Sequence, residues 1–314
     1  MSGLVEQMTD LVEISRKALK ANSKEYISLI DESVELLASE EGRMGRLSIE
    51  GRVIKAKPSG EVIVIGDLHG DLESLVYVLK ASKFVEKATQ NSVLLVFLGD
   101  YGDRGSHSPE VYYLILKLKQ LFSQKVVLMR GNHEGPDDLL AYPHDLPENL
   151  QARFGKEGSV VYSKIRELFQ YLFTAVVVDG LCVMIHGGVP SCASSLNDLI
   201  FAHSMHPKER HLEEILWSDP DETIIGTHSS PRGAGKLFGE DVTKNFLNML
   251  NVKFLIRGHE PSQRGFKINH EGKILTLFSR KGPPYFNSSA AYLQLDLSIK
   301  PQNAYELMPY VHMF

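Results

Sequence analysis

The feature that most constrains this chain is a set of five short apolar runs. They are EVIVI (61–65), SVLLVFL (92–98), KVVLM (125–129), LCVMI (181–185) and VKFLI (252–256), each leading at once into a cluster of glycine and polar residues. β-Branched runs of this length, closed by glycine, read as strands buried on both faces, because such strands have no solvent side to alternate towards. Helix-length amphipathic segments near Leu72–Leu79 and Glu110–Phe122 separate the first three runs. Strands alternating with helices predict an α/β sandwich. Towards the C-terminus the pattern turns to hairpins: Phe266–Asn269 and Lys273–Phe278 flank His270-Glu271-Gly272, and Ala290–Leu297 alternates polar with apolar. Asp179-Gly180 is a further tight-turn signal between AVVV and LCVMI.

The first forty or so residues have a different period. Leu4, Leu11, Ile14 and Leu19, then Ile27, Ile30, Val34 and Leu37, recur mostly at three- and four-residue steps, which predicts helices. Asp31, Glu32, Glu35, Glu40 and Glu41 read as their solvated face, and Gly42 to Gly51 as a small-residue break. No linker of Pro, Gly and Ser divides the rest. The expected organisation is therefore an N-terminal helical layer over 1–50 and one continuous domain over 51–314.

Composition narrows the class. The 314 residues hold only two cysteines, Cys182 and Cys192, too few for a disulfide framework. A net charge of −5 gives no basic footprint for nucleic acid, and no apolar stretch reaches membrane-spanning length. Glu6, Asp10 and Glu13 make the start too acidic for a signal or transit peptide. A cytoplasmic protein with neither nucleic-acid nor membrane partners is expected.

The residues just after each strand carry the chemistry. The five runs lead into Gly66-Asp67-Leu68-His69-Gly70, Gly99-Asp100-Tyr101-Gly102-Asp103-Arg104-Gly105, Arg130-Gly131-Asn132-His133-Glu134, His186-Gly187-Gly188 and Arg257-Gly258-His259-Glu260. The strands are expected to deliver these groups to the same edge of a sheet, where open α/β sheets bind ligands. Alternation along extended backbone puts Asp67 and His69 on one side and Leu68 on the other. Two carboxylates, three imidazoles and one carboxamide, with no thiolate, suit divalent Mn, Fe or Zn. A metal pair sharing one carboxylate would activate water and neutralise a phosphoryl group together. Arg104 and Arg232, the latter in Ser230-Pro231-Arg232-Gly233, offer planar forks for phosphate oxygens.

Other features carry less. Gly233-Ala234-Gly235-Lys236 fails as a phosphate-binding loop, with Ser230 and Leu237 where glycine and a hydroxyl residue are needed. His203, His206 and His211 flank Pro207-Lys208-Glu209-Arg210 and read as a solvated loop rather than a metal site. Cys182 reads as a packed thiol, and the Asn287-Ser288-Ser289 sequon has no secretory context.

In order and approximate spacing, these motifs resemble those of the phosphoprotein phosphatase family, the metal-dependent Ser/Thr phosphatases of the calcineurin-like metallophosphoesterase superfamily. LWSDP (216–220), SPRG (230–233) and FSRKGPPYF (278–286) extend the likeness from about Gly51 to about Leu297. The resemblance implies a four-layer α/β/β/α sandwich of mixed sheets flanked by helices. It implies hydrolysis of phosphoserine and phosphothreonine in proteins by a hydroxide bridging two divalent ions, Mn foremost, with Fe or Zn as alternatives. Asp67, His69 and a bridging Asp100 would hold one ion, and Asp100, Asn132, His186 and His259 the other. Arg104 and Arg232 would clamp the phosphate, with Asn132 and Tyr285 also on the substrate. His133, oriented by Asp103, would be the general acid, and Glu134 and Asp219 would stand behind the ligands.

The chain departs from the eukaryotic pattern at several points. Gly102 stands for Val, and Gly258-His259-Glu260 for Ala-His-Gln. An insertion-like stretch lies around Asp137–Glu148, the Phe278–Tyr285 loop is longer, and Phe286 stands where some members carry a toxin-reactive Cys. In these respects it resembles a prokaryotic or archaeal member. Two rival readings are a metallophosphoesterase of small substrates such as dinucleoside polyphosphates, and a non-catalytic phosphate-binding module.

Overall fold

The computed structural model describes residues 11–90 and 93–314; the expectations placed on Leu4, Glu6, Asp10 and Ser92 lie outside them. Strands β1 (Gly42–Met44), β2 (Leu47–Glu50) and β3 (Val53–Ala56) form an antiparallel meander. Strands β4 (Glu61–Ile65), β5 (Val93–Phe97) and β6 (Val126–Leu128) are parallel neighbours. Strand β7 (Ala175–Val178) pairs parallel with β3, and antiparallel with β8 (Cys182–Ile185) across the Asp179-Gly180 turn. The short β9 (Asp219–Pro220), β10 (Thr227–Ser229) and β11 (Lys236–Phe238) make a small sheet of their own. Strand β12 (Phe254–Arg257) lies parallel to β8, and β13 (Phe266–Asn269) and β14 (Ile274–Leu277) form a hairpin beside it. Strands β15 (Ala291–Asp296) and β16 (Val311–Met313) join β4.

Two main mixed sheets result, ordered β1-β2-β3-β7-β8-β12-β14-β13 and β16-β15-β4-β5-β6. Side-chain alternation along the first sheet shows how they stack. Ile54, Val176, Met184, Ile256 and Leu275 join a core shared with Val62, Val64 and Leu95 of the second sheet. Their alternates Val53, Val177, Val183, Ile185 and Leu255 face a separate core containing Leu199, Ile215, Phe246 and Leu247, from helices between residues 196 and 250. Helices Leu72–Ala81 and Ser108–Leu121 cover the second sheet. The layers are α/β/β/α, with mixed sheets flanked by helices.

Helices Leu11–Lys20 and Ser23–Ala38 pack against this body. Asn22 and Glu25 close a capping box at the second helix, which satisfies amide groups its first turn would leave unpaired. Tyr26 anchors it from within the core by donating to the Pro109 carbonyl at 2.7 Å.

Three local expectations are corrected. Gly42 to Gly51 is not merely a break but contains β1 and β2, where Met44, Leu47 and Ile49 are buried by two-residue alternation. A boundary at residue 50 falls between paired strands. Glu40 is not solvated: it is buried against the buried ammonium of Lys119 at 2.5 Å, an ion pair that also uses the carbonyls of Ser123 and Val126. Finally, the five motif-bearing strands do not share one sheet. β4, β5 and β6 belong to the smaller sheet, and β8 and β12 to the larger.

Candidate active site

The motifs meet because the two stacked sheets point these strand ends at one another. A parallel bridge between Asp67 and Phe278 ties the sheets together there. The turns are tight: His69, Asp100, Asp103, Arg104 and His259 all have φ between 43° and 72°. Left-handed backbone costs a non-glycine residue about 1–2 kcal/mol, so five instances in one place mark a site whose geometry is held by its surroundings. Gly131 permits a close approach, since a Cβ there would lie 2.2 Å from Asp100 Oδ1.

The imidazoles have fixed tautomers. His69 donates from Nδ1 to the Gly102 carbonyl at 3.0 Å, and His186 from Nδ1 to the Leu98 carbonyl at 2.9 Å. Each is left with a bare Nε2 facing the carboxylates. His69 Nε2 lies 3.7 Å from Asp67 Oδ2 and 3.5 Å from Asp100 Oδ2. His186 Nε2 lies 3.4 Å from Asp100 Oδ1 and 3.1 Å from Asn132 Oδ1, which is 3.0 Å from His259 Nδ1. Lone pairs thus converge on lone pairs in two groups that share Asp100. Spacings of this size are those of ligand atoms about 2.1 Å from a common cation. Two further observations fit a cation. The buried Asp67 Oδ2 has no hydrogen-bond partner. The Asn132 carbonyl oxygen faces only acceptors, which its amide could satisfy only by turning over. With N and O donors and no thiolate, the set fits divalent Mn, Fe or Zn.

Electrostatics agree. Burial and the charge of Asp100 push Asp67 up to about 7. Burial alone would also raise Asp100, but His186, His133 and His69 bring it down to about 2. Asp67 and Asp100 are thus two buried carboxylates that repel one another. Behind Asp100, Glu134 accepts from the amides of Asp100, Tyr101 and Gly131 and from the Tyr112 hydroxyl.

The remaining expected residues line the same space. His133 Nδ1 donates to Asp103 Oδ2 at 2.5 Å, while its buried Nε2 has no partner. Burial would lower His133, but the Asp100 charge and the bond to Asp103 outweigh it and raise its pKa. Arg104 donates to the Tyr285 hydroxyl at 2.7 Å, and the Tyr285 ring stacks on His69 with centroids 5.6 Å apart. Arg232 donates to Asp219 Oδ2 at 2.6 Å, and Asp219 Oδ1 accepts from the buried Arg257 at 2.8 Å.

A family model described as calcineurin-like phosphoesterase matches residues 60–263, the stretch holding all five motifs. The chain belongs to the calcineurin-like phosphoesterase family.

Curated relatives of this calcineurin-like phosphoesterase include a probable serine/threonine-protein phosphatase of Encephalitozoon cuniculi. It is 33% identical over 269 residues, covering 82% of this chain but only 57% of that protein's length. The serine/threonine-protein phosphatase 4 catalytic subunit of Candida glabrata is 34% identical, covering 71% of this chain and 70% of the relative. Among solved structures, a Saccharomyces cerevisiae protein serine/threonine phosphatase superposes with a TM-score of 0.71 at 22% identity, covering 93% of this chain and 89% of that one. A likeness of that identity speaks to the fold.

The departures of this calcineurin-like phosphoesterase have local causes. A Cβ on Gly102 would sit 2.8 Å from the Tyr112 ring, whose hydroxyl Glu134 needs. Glu260 answers the buried Arg257 guanidinium at 2.6 Å. Phe286 is exposed on its loop. Of the loop histidines, His203 accepts from Arg130 and His206 meets Asp138, so they serve separate contacts. One residue escaped the sequence reading: His144, inside the insertion, reaches Asp103 at 2.8 Å. Its only signal was its place in the inserted stretch, because its partner lies 41 residues away.

Proposed function

We propose that this chain hydrolyses phosphoserine and phosphothreonine in proteins as a two-metal phosphatase. The observation that carries the reading is the pair of lone-pair clusters sharing Asp100, with the His133 Nε2 position unpartnered beside them. The names of the curated relatives supply the substrate class. Asp67, His69 and Asp100 would hold one divalent ion, and Asp100, Asn132, His186 and His259 the other, with Mn the first choice. Bound there, such ions supply Lewis acidity towards phosphoryl oxygens and lower the pKa of a water.

The protein's own residues do the rest. Arg104, braced by Tyr285, and Arg232, braced by Asp219, present guanidinium N–H groups to the phosphoryl oxygens. Asn132 and Tyr285 complete the substrate contacts. His133 keeps its Nδ1 proton on Asp103 and passes the Nε2 proton to the departing Ser or Thr oxygen, which leaves as a neutral alcohol. A cytoplasmic setting and phosphoprotein partners accord with this reading. Among the described residues, no helix is long and apolar enough to cross a membrane.

Elemental analysis of purified protein, coupled to turnover of a phosphopeptide panel and of diadenosine polyphosphates, tests the assignment. About two divalent ions per chain and faster phosphopeptide hydrolysis are expected. Preferential cleavage of diadenosine polyphosphates would move the protein to small phosphoesters, and no metal-dependent release of phosphate would leave only a binding role.

A further inference from the structure

The Asp103 carboxylate serves two imidazoles. His133 Nδ1 approaches Asp103 Oδ2 at 2.5 Å, and His144 Nδ1 approaches the same oxygen at 2.8 Å. Asp103 Oδ1 accepts from the Leu146 amide at 2.7 Å. His144 is fixed in turn: its Nε2 lies 2.7 Å from the Tyr162 hydroxyl, on helix Gly158–Phe169. With Tyr162 donating to Nε2, a neutral His144 must carry its proton on Nδ1, aimed at Asp103. A third cation among these groups does not fit. Ligand atoms around a shared metal stand about 3 Å or more apart, and these separations are hydrogen-bond lengths.

We propose that His144 is a positioning residue for proton transfer to the leaving group, holding the Asp103 carboxylate in the orientation from which Asp103 aims His133. A carboxylate rotates easily about its last torsion, and three donors divided over both oxygens stop it. The same loop also holds the backbone that carries Arg104, because Asp145 Oδ1 accepts from the Arg104 amide at 2.9 Å. The inserted stretch around residues 137–148 thus reaches the site through its own side chains. An ion pair from Arg166 to Asp137 and a contact between His206 Nε2 and the Asp138 carboxylate brace it from outside. This role rests on the phosphatase reading.

The test is the dependence of kcat/KM on the leaving group, with Mn²⁺ saturating. His144→Leu should lose about tenfold on a phosphothreonine peptide and less than about threefold on nitrophenyl phosphate, whose leaving group needs no proton. His144→Asn, which keeps an N–H near the Nδ1 position, should recover most of that loss. Tyr162→Phe removes only the anchoring hydroxyl and should shift the peptide-to-nitrophenyl ratio the same way by a smaller factor. It decides the matter if His144→Leu fails to fold. Equal losses on both substrates, or none on the peptide, would overturn the role of His144. His133→Asn separates this from failure of the parent reading. If His133→Asn is selective for the peptide and the His144 and Tyr162 variants are not, only the positioning role falls. If the wild-type protein does not turn over the peptide, both fall.

Discussion

Glu134→Gln measures how firmly the site's backbone is held. Glu134 Oε2 accepts from the amides of Asp100 at 2.8 Å and Gly131 at 3.0 Å, and Oε1 from the Tyr101 amide at 3.0 Å and the Tyr112 hydroxyl at 2.8 Å. A glutamine carbonyl can take over the first pair. Its NH₂ group then faces the Tyr112 oxygen, which can turn and accept, and the Tyr101 N–H, which cannot. A carboxyl keeps a lone pair for Tyr101 whether or not it carries a proton, so the loss of this one bond does not depend on the ionisation of Glu134. One unsatisfied buried amide costs about 1–3 kcal/mol, and each of the two amide bonds taken over by the carbonyl loses charge assistance worth roughly 0.5–1.5 kcal/mol where Glu134 is ionised. The expected destabilisation is therefore about 2–6 kcal/mol. Because Asp100 is held at φ 56°, loosening its amide should also weaken metal affinity by roughly 10- to 100-fold. Urea unfolding of metal-free protein and calorimetric titration with Mn²⁺ measure the two effects separately. A loss below about 1 kcal/mol with unchanged Mn²⁺ affinity would show that Glu134 does not hold this turn.

Three further outcomes are expected. Asp100→Asn removes charge from both clusters, so Mn²⁺ content should fall at both positions and kcat/KM by about 100-fold or more; wild-type metal content would refute the shared ligand. Arg104→Lys keeps the charge but loses the planar fork bonded to Tyr285, so kcat/KM should fall roughly 10- to 100-fold with metal content unchanged, and near-normal kinetics would remove Arg104 from the phosphate clamp. Burial pushes the Cys182 thiol up to about 12, while Cys192 is exposed. An aromatic disulfide reagent should therefore titrate one thiol quickly in native protein and the second only on unfolding; two fast thiols would contradict the packing of Cys182.

The amino-acid sequence by itself determined the five motif-bearing strands and what they end on. Runs such as EVIVI read as buried, and the glycines beside Asp67, Asp100 and Asn132 permit sharp turns, so these site candidates are readable from neighbours a few residues away. The capping box at Asn22 and Glu25 is local in the same sense. Only the tertiary structure decided that the motifs divide between two sheets, that Asp100 turns one oxygen to His69 and the other to His186, and that Gly42–Met44 and Leu47–Glu50 are strands. It also put Glu40 in the core against Lys119 and set His144 against Asp103. The physical reason is range. Strand, turn and cap preferences are fixed by steric and hydrogen-bonding contacts within a few residues. Sheet stacking, buried charge pairing and the sharing of a carboxylate depend on which distant surfaces meet, and no local pattern in the chain encodes that meeting.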